Sequence, residues 1–124
     1  MQNDAVTVVY KWTAHPGKLD TLKAIYQGVT QSMEQNEPGA LAVEVHVSED
    51  ENAIYVRDDF LDASAVAFHL QETASAHFGD LMAIATPGLF QFFGQMPDAL
   101  KGAIRDMGLT AEFATPVVGF QRAA

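Results

Sequence analysis

Between Ala5 and Phe60 the apolar residues change spacing twice, from every second position to steps of three and four and back to every second position. A side chain repeats every second residue on one face of a strand and every three to four on one face of a helix, so this switch dictates strand, helix, strand, strand. In the first run Val6, Val8, Tyr10 and Trp12 alternate with Thr7, Val9, Lys11 and Thr13. Pro16-Gly17 then introduces Leu19, Leu22, Tyr26, Val29 and Met33, one stripe of a helix that ends before Glu37-Pro38-Gly39. Leu41, Val43, Val45 and Val47 alternate again, and the polar turn Glu49-Asp50-Glu51-Asn52 leads into a further alternating run, Ala53 to Phe60, so these two strands form a hairpin.

Asp62 has the chemistry of an N-cap for a second helix that carries Ala63, Val66, Ala67, Leu70, Ala74, Leu81 and Ala85 on one face, long or broken, with Gly79 as its weak point. Thr86-Pro87-Gly88 stops that helix. The apolar stretch Leu89 to Phe93 and a short helix from Pro97 to Met107, closed by Gly108, read as an insertion over residues 87–108. Glu112 to Arg122 reads as the closing strand, and because Pro116 cannot donate to a ladder it belongs at a sheet edge or a bulge. The order predicts a single α+β domain over residues 1–124, ferredoxin-like β-α-β-β-α-β with an antiparallel sheet and an extra short helix before the last strand, the last strand lying beside the first. Both helices then cover one sheet face. The other face presents Thr7, Val9, Lys11, Glu44, His46, Tyr55, Arg57 and Asp59, either to water or to a second copy.

Charge and composition remove whole classes of function. Seven Lys and Arg stand against 16 Asp and Glu, a net charge of −9, with no basic cluster to hold a phosphate backbone or an anionic bilayer, so neither nucleic acid nor membrane is an expected partner. Zero cysteines exclude disulfides, thiolate nucleophiles and cysteine-held clusters. The first residues lack a basic and apolar leader, and a cytoplasmic location is expected.

Three segments in order carry a likeness: His15-Pro16-Gly17-Lys18 at the first helix, Glu37-Pro38-Gly39 before the second strand, and the block Asp58-Asp59-Phe60-Leu61-Asp62-Ala63-Ser64-Ala65-Val66-Ala67-Phe68-His69-Leu70. Through them the chain resembles the antibiotic biosynthesis monooxygenase domain of the dimeric α/β-barrel superfamily, over most of residues 5–85. The resemblance implies a ferredoxin-like homodimer with back-to-back sheets and a cavity between each monomer's helices and its own sheet. It also implies one of several chemistries: cofactor-independent oxygenation of quinols and polycyclic phenols, haem degradation, or isomerisation of a phosphorylated signal. Where the family carries Glu-x-Trp at the end of the third strand this chain has Asp58-Asp59-Phe60, which keeps the acid and loses an indole N–H. His69 keeps the family's helical histidine, His77 matches the second one loosely, and the residues resembling the haem-degrading branch are missing.

Independently of family, His69, Thr73, His77 and Asp80 fall at steps of four, four and three, a polar stripe able to line a cavity wall or to face water. A histidine takes a phenolic proton near neutrality, and Asp80 one turn past His77 is placed to orient it. Asp58 shares its strand face with Ile54, Val56 and Phe60, so it is a catalytic or histidine-orienting carboxylate, a structural hydrogen-bond partner, or turned outward by a bulge. His69, Asp58 and His77 are the candidate catalytic residues; Tyr10, Trp12, Phe60, Thr73 and Phe90 are the candidate walls for an aromatic ligand. The pairs His69 with Glu72 and His77 with Asp80 have metal-ligand spacing, but the two imidazoles lie two turns apart, roughly 12 Å, too far to share an ion, so no metal is expected. The leading functional expectation is a homodimer that oxidises a quinol or polyphenol with O2 and no cofactor. The alternatives are an isomerase using the same acid and base, and a non-catalytic small-molecule binder.

Overall fold

A computed structural model describes residues 4–123. The first alternating run forms β1 (Val6–Ala14), and its inward set Val6, Val8, Tyr10, Trp12 and Ala14 is buried. The helical stripe becomes α1 (Leu19–Asn36), which buries Leu22, Tyr26, Val29 and Met33 against the sheet. Each such side chain contributes about 1.5–3 kcal/mol over leaving it in water. The hairpin is β2 (Ala40–Ser48) and β3 (Ala53–Phe60), antiparallel, with Asn52 at φ 53° in the turn, a conformation that Asn tolerates. The Asn52 amide donates to the Ala14 carbonyl at 2.9 Å, which ties the turn to the end of β1.

The second helix is broken, but not at Gly79. Asp62 caps α2 (Ala63–His69), its carboxylate accepting from the Ala65 N–H at 2.9 Å. Leu70–Ala74 then form one wide π turn in which the Ser75 N–H reaches back to the Leu70 carbonyl, and α3 (Ser75–Ile84) follows. Among the described residues no helix is long and apolar enough to cross a membrane.

The chain after α3 departs from expectation. β4 (Ala85–Pro87) and β5 (Phe90–Phe93) both pair antiparallel with β1, and Glu112–Arg122 does not lie beside it. Phe90 and Phe92 point inward while Gln91 and Phe93 are less buried, so the run read as part of an insertion is a period-two strand that completes the ferredoxin-like sheet. Its short apolar sequence hides the alternation. α4 (Asp98–Asp106) then leads to β6 (Ala111–Ala114), which runs parallel to β5 at the sheet edge, giving the order β2-β3-β1-β5-β6. The closing strand is therefore shorter than expected, and Pro116 lies beyond it. Phe113 stacks on Phe92 at 5.2 Å, which fastens the edge strand to the core.

One close approach fixes how α2 sits. A Cβ built on Gly39 lies 2.5 Å from the Ala65 Cβ, and the Gly39 carbonyl accepts from the Leu61 N–H at 2.8 Å, so the start of β2 and the first turn of α2 touch through a missing side chain. Gly39→Ala is expected to push α2 off the sheet at a cost of about 1–3 kcal/mol, read as a lowered urea midpoint with an unchanged slope.

Candidate active site

The space between the helices and the sheet is closed at the bottom by Val8, Tyr10, Trp12, Asp58, Phe60, Phe90 and Phe92, and on the helix side by Tyr26, Val66, His69, Leu70, Ala74, His77, Phe78 and Leu81. Met107 and Leu109, from the C-terminal addition, complete it. The open void is about 60 Å³, and the half-buried Leu70, Ala74, His77 and Phe78 mark where it meets the surface. A void this small would take a ringed ligand only with the helical wall displaced. No Lys or Arg is among the lining residues.

The organising polar contact lies behind the wall. Glu37, only 3% exposed, takes the His69 Nδ1–H on its carboxylate at 3.0 and 3.2 Å and the Thr73 hydroxyl on Oε2. A carboxylate can only accept, so the contact fixes the proton on Nδ1 and leaves the other edge of the ring, with Nε2, toward the cavity. Burial alone would raise the Glu37 carboxyl, but the hydrogen bonds from His69 and Thr73 together with the imidazole charge hold it below the usual range. The π turn belongs to this arrangement, because it widens the helix between His69 and Thr73 while both reach the same carboxylate.

A second chain of hydrogen bonds crosses the floor. The Tyr26 hydroxyl donates to the Tyr10 hydroxyl at 3.0 Å, and Tyr10 donates to Asp58 Oδ2 at 2.9 Å. Asp58 Oδ1 is buried without a partner. Burial is the main cause that pushes this carboxyl up, opposed by the His69 charge and the Tyr10 hydrogen bond and assisted by Glu37 and Asp59, to about 6. Burial and the neighbouring Asp58 charge push the Tyr10 hydroxyl upward as well, so it stays protonated as a donor. The Trp12 indole N–H lies close enough to the Tyr26 oxygen to influence it, yet closes no hydrogen bond and is also buried without a partner. Phe90 stacks on Tyr10 at 4.4 Å and meets Trp12 edge-on at 6.2 Å, which holds both rings upright.

Most of the residues singled out in the sequence meet here, with three corrections. Asp58 is not the partner that orients His69, because Tyr10 holds Asp58 while Glu37 holds His69. The bulge lies at Ala40/Ala42 of β2, so Asp58 keeps its inward parity. Thr73 is buried against Glu37 and lines no part of the cavity, since the π turn directs it toward α1, where Ser32 also lies 3.5 Å away. Asp80 is exposed and makes no hydrogen bond to His77, so His77 lines the mouth without an orienting carboxylate. Glu37 was missed as a functional residue. Its signal was an acidic residue before a proline at a helix end, where a solvated cap is the ordinary reading. Tyr26 was assigned to the core stripe, and only its hydroxyl, which needs a partner, pointed further.

The family model for antibiotic biosynthesis monooxygenase matches residues 5–82. No curated protein matches the chain. Among solved structures, MupZ from Pseudomonas fluorescens superposes with a TM-score of 0.83 at 18% identity, covering 97% of this chain and 96% of that one. SnoaB, a cofactor-independent oxygenase from Streptomyces nogalater, gives 0.64 at 20% identity over 76% of this chain and 95% of that one. Rv0793 from Mycobacterium tuberculosis gives 0.65 at 13% identity over 77% and 98%. At these identities the likeness is one of fold, and the near-complete span of the first extends it to the α4–β6 addition.

Folding places Asp58 where its charge is disfavoured, so the native state binds its proton up to about pH 6 while the unfolded chain releases it near 4. Stability from this group is therefore greatest below the unfolded value and falls as pH rises toward 6. Asp58→Asn removes the charge and keeps an acceptor for Tyr10. It is expected to raise stability over the parent at pH 8, by up to about 3 kcal/mol, and to give little gain at pH 4, read from urea unfolding at both values.

Proposed function

The chain belongs to the antibiotic biosynthesis monooxygenase family, and we propose that it acts as a cytoplasmic homodimer that oxidises an uncharged quinol or polyphenol with O2, without a bound cofactor. The observation that carries this reading is an imidazole that lines an apolar cavity while a buried carboxylate fixes its far nitrogen. An acidic C–H or O–H of an electron-rich ring is itself the reductant once deprotonated, so the protein need supply only a base, a dry pocket and donors for the oxyanion.

His69 Nε2 accepts the phenolic proton, and the imidazolium so formed is stabilised by Glu37. The phenolate passes one electron to O2. The resulting radical and superoxide join through a new bond from oxygen to a ring carbon, and the peroxide takes a proton from the imidazolium. Loss of the ring C–H proton then breaks the O–O bond and releases water. One oxygen atom ends in a quinone carbonyl and the other in water, so O2 takes up the four electrons that the ring gives up. Tyr10, Trp12, Phe60 and Phe90 hold the ring, and His77 stands at the mouth.

Asp58 favours a second reading. A buried carboxyl held near 6 with one oxygen turned loose is a group that can both give and take a proton, and together with His69 it suffices to isomerise a hydroxy-carbonyl compound with no oxygen consumed. Lining residues without Lys or Arg speak against a phosphorylated substrate for either reaction. The outer sheet face suits the dimer: Arg57 and Glu44 lie opposite each other, Tyr55 is 41% exposed, and Lys11 sits over the Tyr55 ring at 5.2 Å.

The test is oxygen uptake by metal-stripped protein over a panel of quinols and fused-ring phenols, with His69→Ala and Glu37→Gln beside the parent. The expected outcome is uptake that falls about a hundredfold in His69→Ala and about tenfold in Glu37→Gln. Turnover without uptake selects the isomerase, binding without turnover selects the non-catalytic binder, and equal uptake by all three proteins removes His69 from the mechanism.

A further inference from the structure

The sheet leaves one edge bare. β2 is its outermost strand and pairs with β3 alone among the described strands. From Ala42 to Ser48 it carries neither lysine nor proline, residues that ordinarily keep an edge from accepting another strand, and its bulge lies only at the start, Ala40/Ala42. On the helix side Val43, Val45 and Val47 form one wall of an open groove of about 460 Å³, and α1 forms the other with Lys23, Tyr26 and Glu34. Val45 and Val47 remain exposed beside it. The same chain carries an exposed apolar segment. After β6, residues 115–123 form neither helix nor strand, and Val117, Val118 and Phe120 are 93%, 94% and 84% exposed. Side chains two apart lie on one side of an extended segment, so Val118, Phe120 and Arg122 share a side, and the Arg122 guanidinium sits over the Phe120 ring at 5.2 Å.

Length decides whose edge this segment meets. β6 and β2 stand at opposite ends of the order β2-β3-β1-β5-β6, four strand spacings or ~19 Å apart, whereas Val118 is four residues past Ala114 and reaches at most ~14 Å from it. The segment cannot lie along β2 of its own molecule. Charge decides the direction. α1 passes into β2 through Glu37, Pro38 and Gly39, so Glu34 borders the Val43 end of the groove and Lys23 the Val47 end. Antiparallel to β2, the segment sets Val118 by Val47, Phe120 by Val45 and Arg122 by Val43, next to Glu34. Parallel to β2, it would bring Arg122 against Lys23 instead. We propose that residues 116–122 of one copy add as an antiparallel strand to the free edge of β2 in a second copy, with Val118 and Phe120 in the groove and Arg122 against Glu34. Each copy holds both the segment and the edge, so the exchange is reciprocal and two contacts close a pair. The contact is separate from the outer sheet face and rests on no part of the oxidation reading.

The chain has no cysteine, so introduced cysteines report the contact without background. Val45→Cys and Phe120→Cys proteins are mixed under mild oxidation, and Glu44→Cys, on the opposite sheet face, replaces Val45→Cys in the control. The first mixture is expected to form a disulfide between two copies about tenfold faster than the control. Sedimentation supplies a second readout, in which self-association is expected to weaken at least about tenfold in Val118→Asp/Phe120→Asp and in Val45→Lys. Arg122→Glu is expected to weaken it too, and Glu34→Arg in the same chain to restore it. Every one of these positions is exposed, so the charged variants are expected to keep the fold. Three results each overturn the proposal: equal disulfide rates in the two mixtures, a disulfide within one chain when both cysteines are placed in it and diluted to nanomolar, or self-association unchanged in the charged variants. Oxygen uptake decides the oxidation reading on its own, because none of these residues lines the cavity.

Discussion

Glu37 holds the site together. Its carboxylate comes from the junction of α1 and β2, and both of its partners, His69 and Thr73, come from the broken helix that forms the cavity wall. A charge this buried persists only if its lone pairs are filled, so the helix must present two donors within hydrogen-bond reach. The π turn between them is the geometry that accompanies this requirement. Gly39, two residues after Glu37, lets α2 press against the start of β2, so one short segment places both the carboxylate and the helix that answers it.

Two carboxyls within one small site have been driven apart. Glu37, with two donors, stays charged, while Asp58, with one donor and one bare oxygen, lies near the point where it loses its charge. The difference is counted in hydrogen bonds as much as in depth, since both side chains are buried. Titratable groups pushed apart in this way are the usual basis for different acid and base roles within one site.

Much of this was legible in residue spacing. The inward set of β1, the stripe of α1, the β2–β3 hairpin and the cap at Asp62 all follow from periods of two and of three to four, because one-sided burial leaves no other arrangement of those side chains. Asp58 stood out by parity alone, an acid on an apolar face. What spacing could not reveal depends on contacts distant in sequence. Glu37 and His69 lie 32 residues apart, and the π turn leaves no mark in the pattern around Leu70–Ala74. Phe90–Phe93 was obscured for a different reason: four residues are too few to display alternation when the outward Phe93 is also apolar.

The register of β1 has a consequence for how the polypeptide is made. Of the described strands it is synthesised first, yet its flanks are filled by β3 on one side and by β4 and β5 on the other, with Val8 facing Asp58 on one side and Phe92 on the other. The Tyr10 ring, stacked on Phe90, likewise waits for a residue 80 positions later. Contacts this distant in sequence must await loop closure, so the sheet and the cavity beneath it can form only when most of the chain has been synthesised. A nascent chain stalled between β3 and β5 therefore carries an open apolar strand edge, which makes this interval of translation the one in which a chaperone has something to hold.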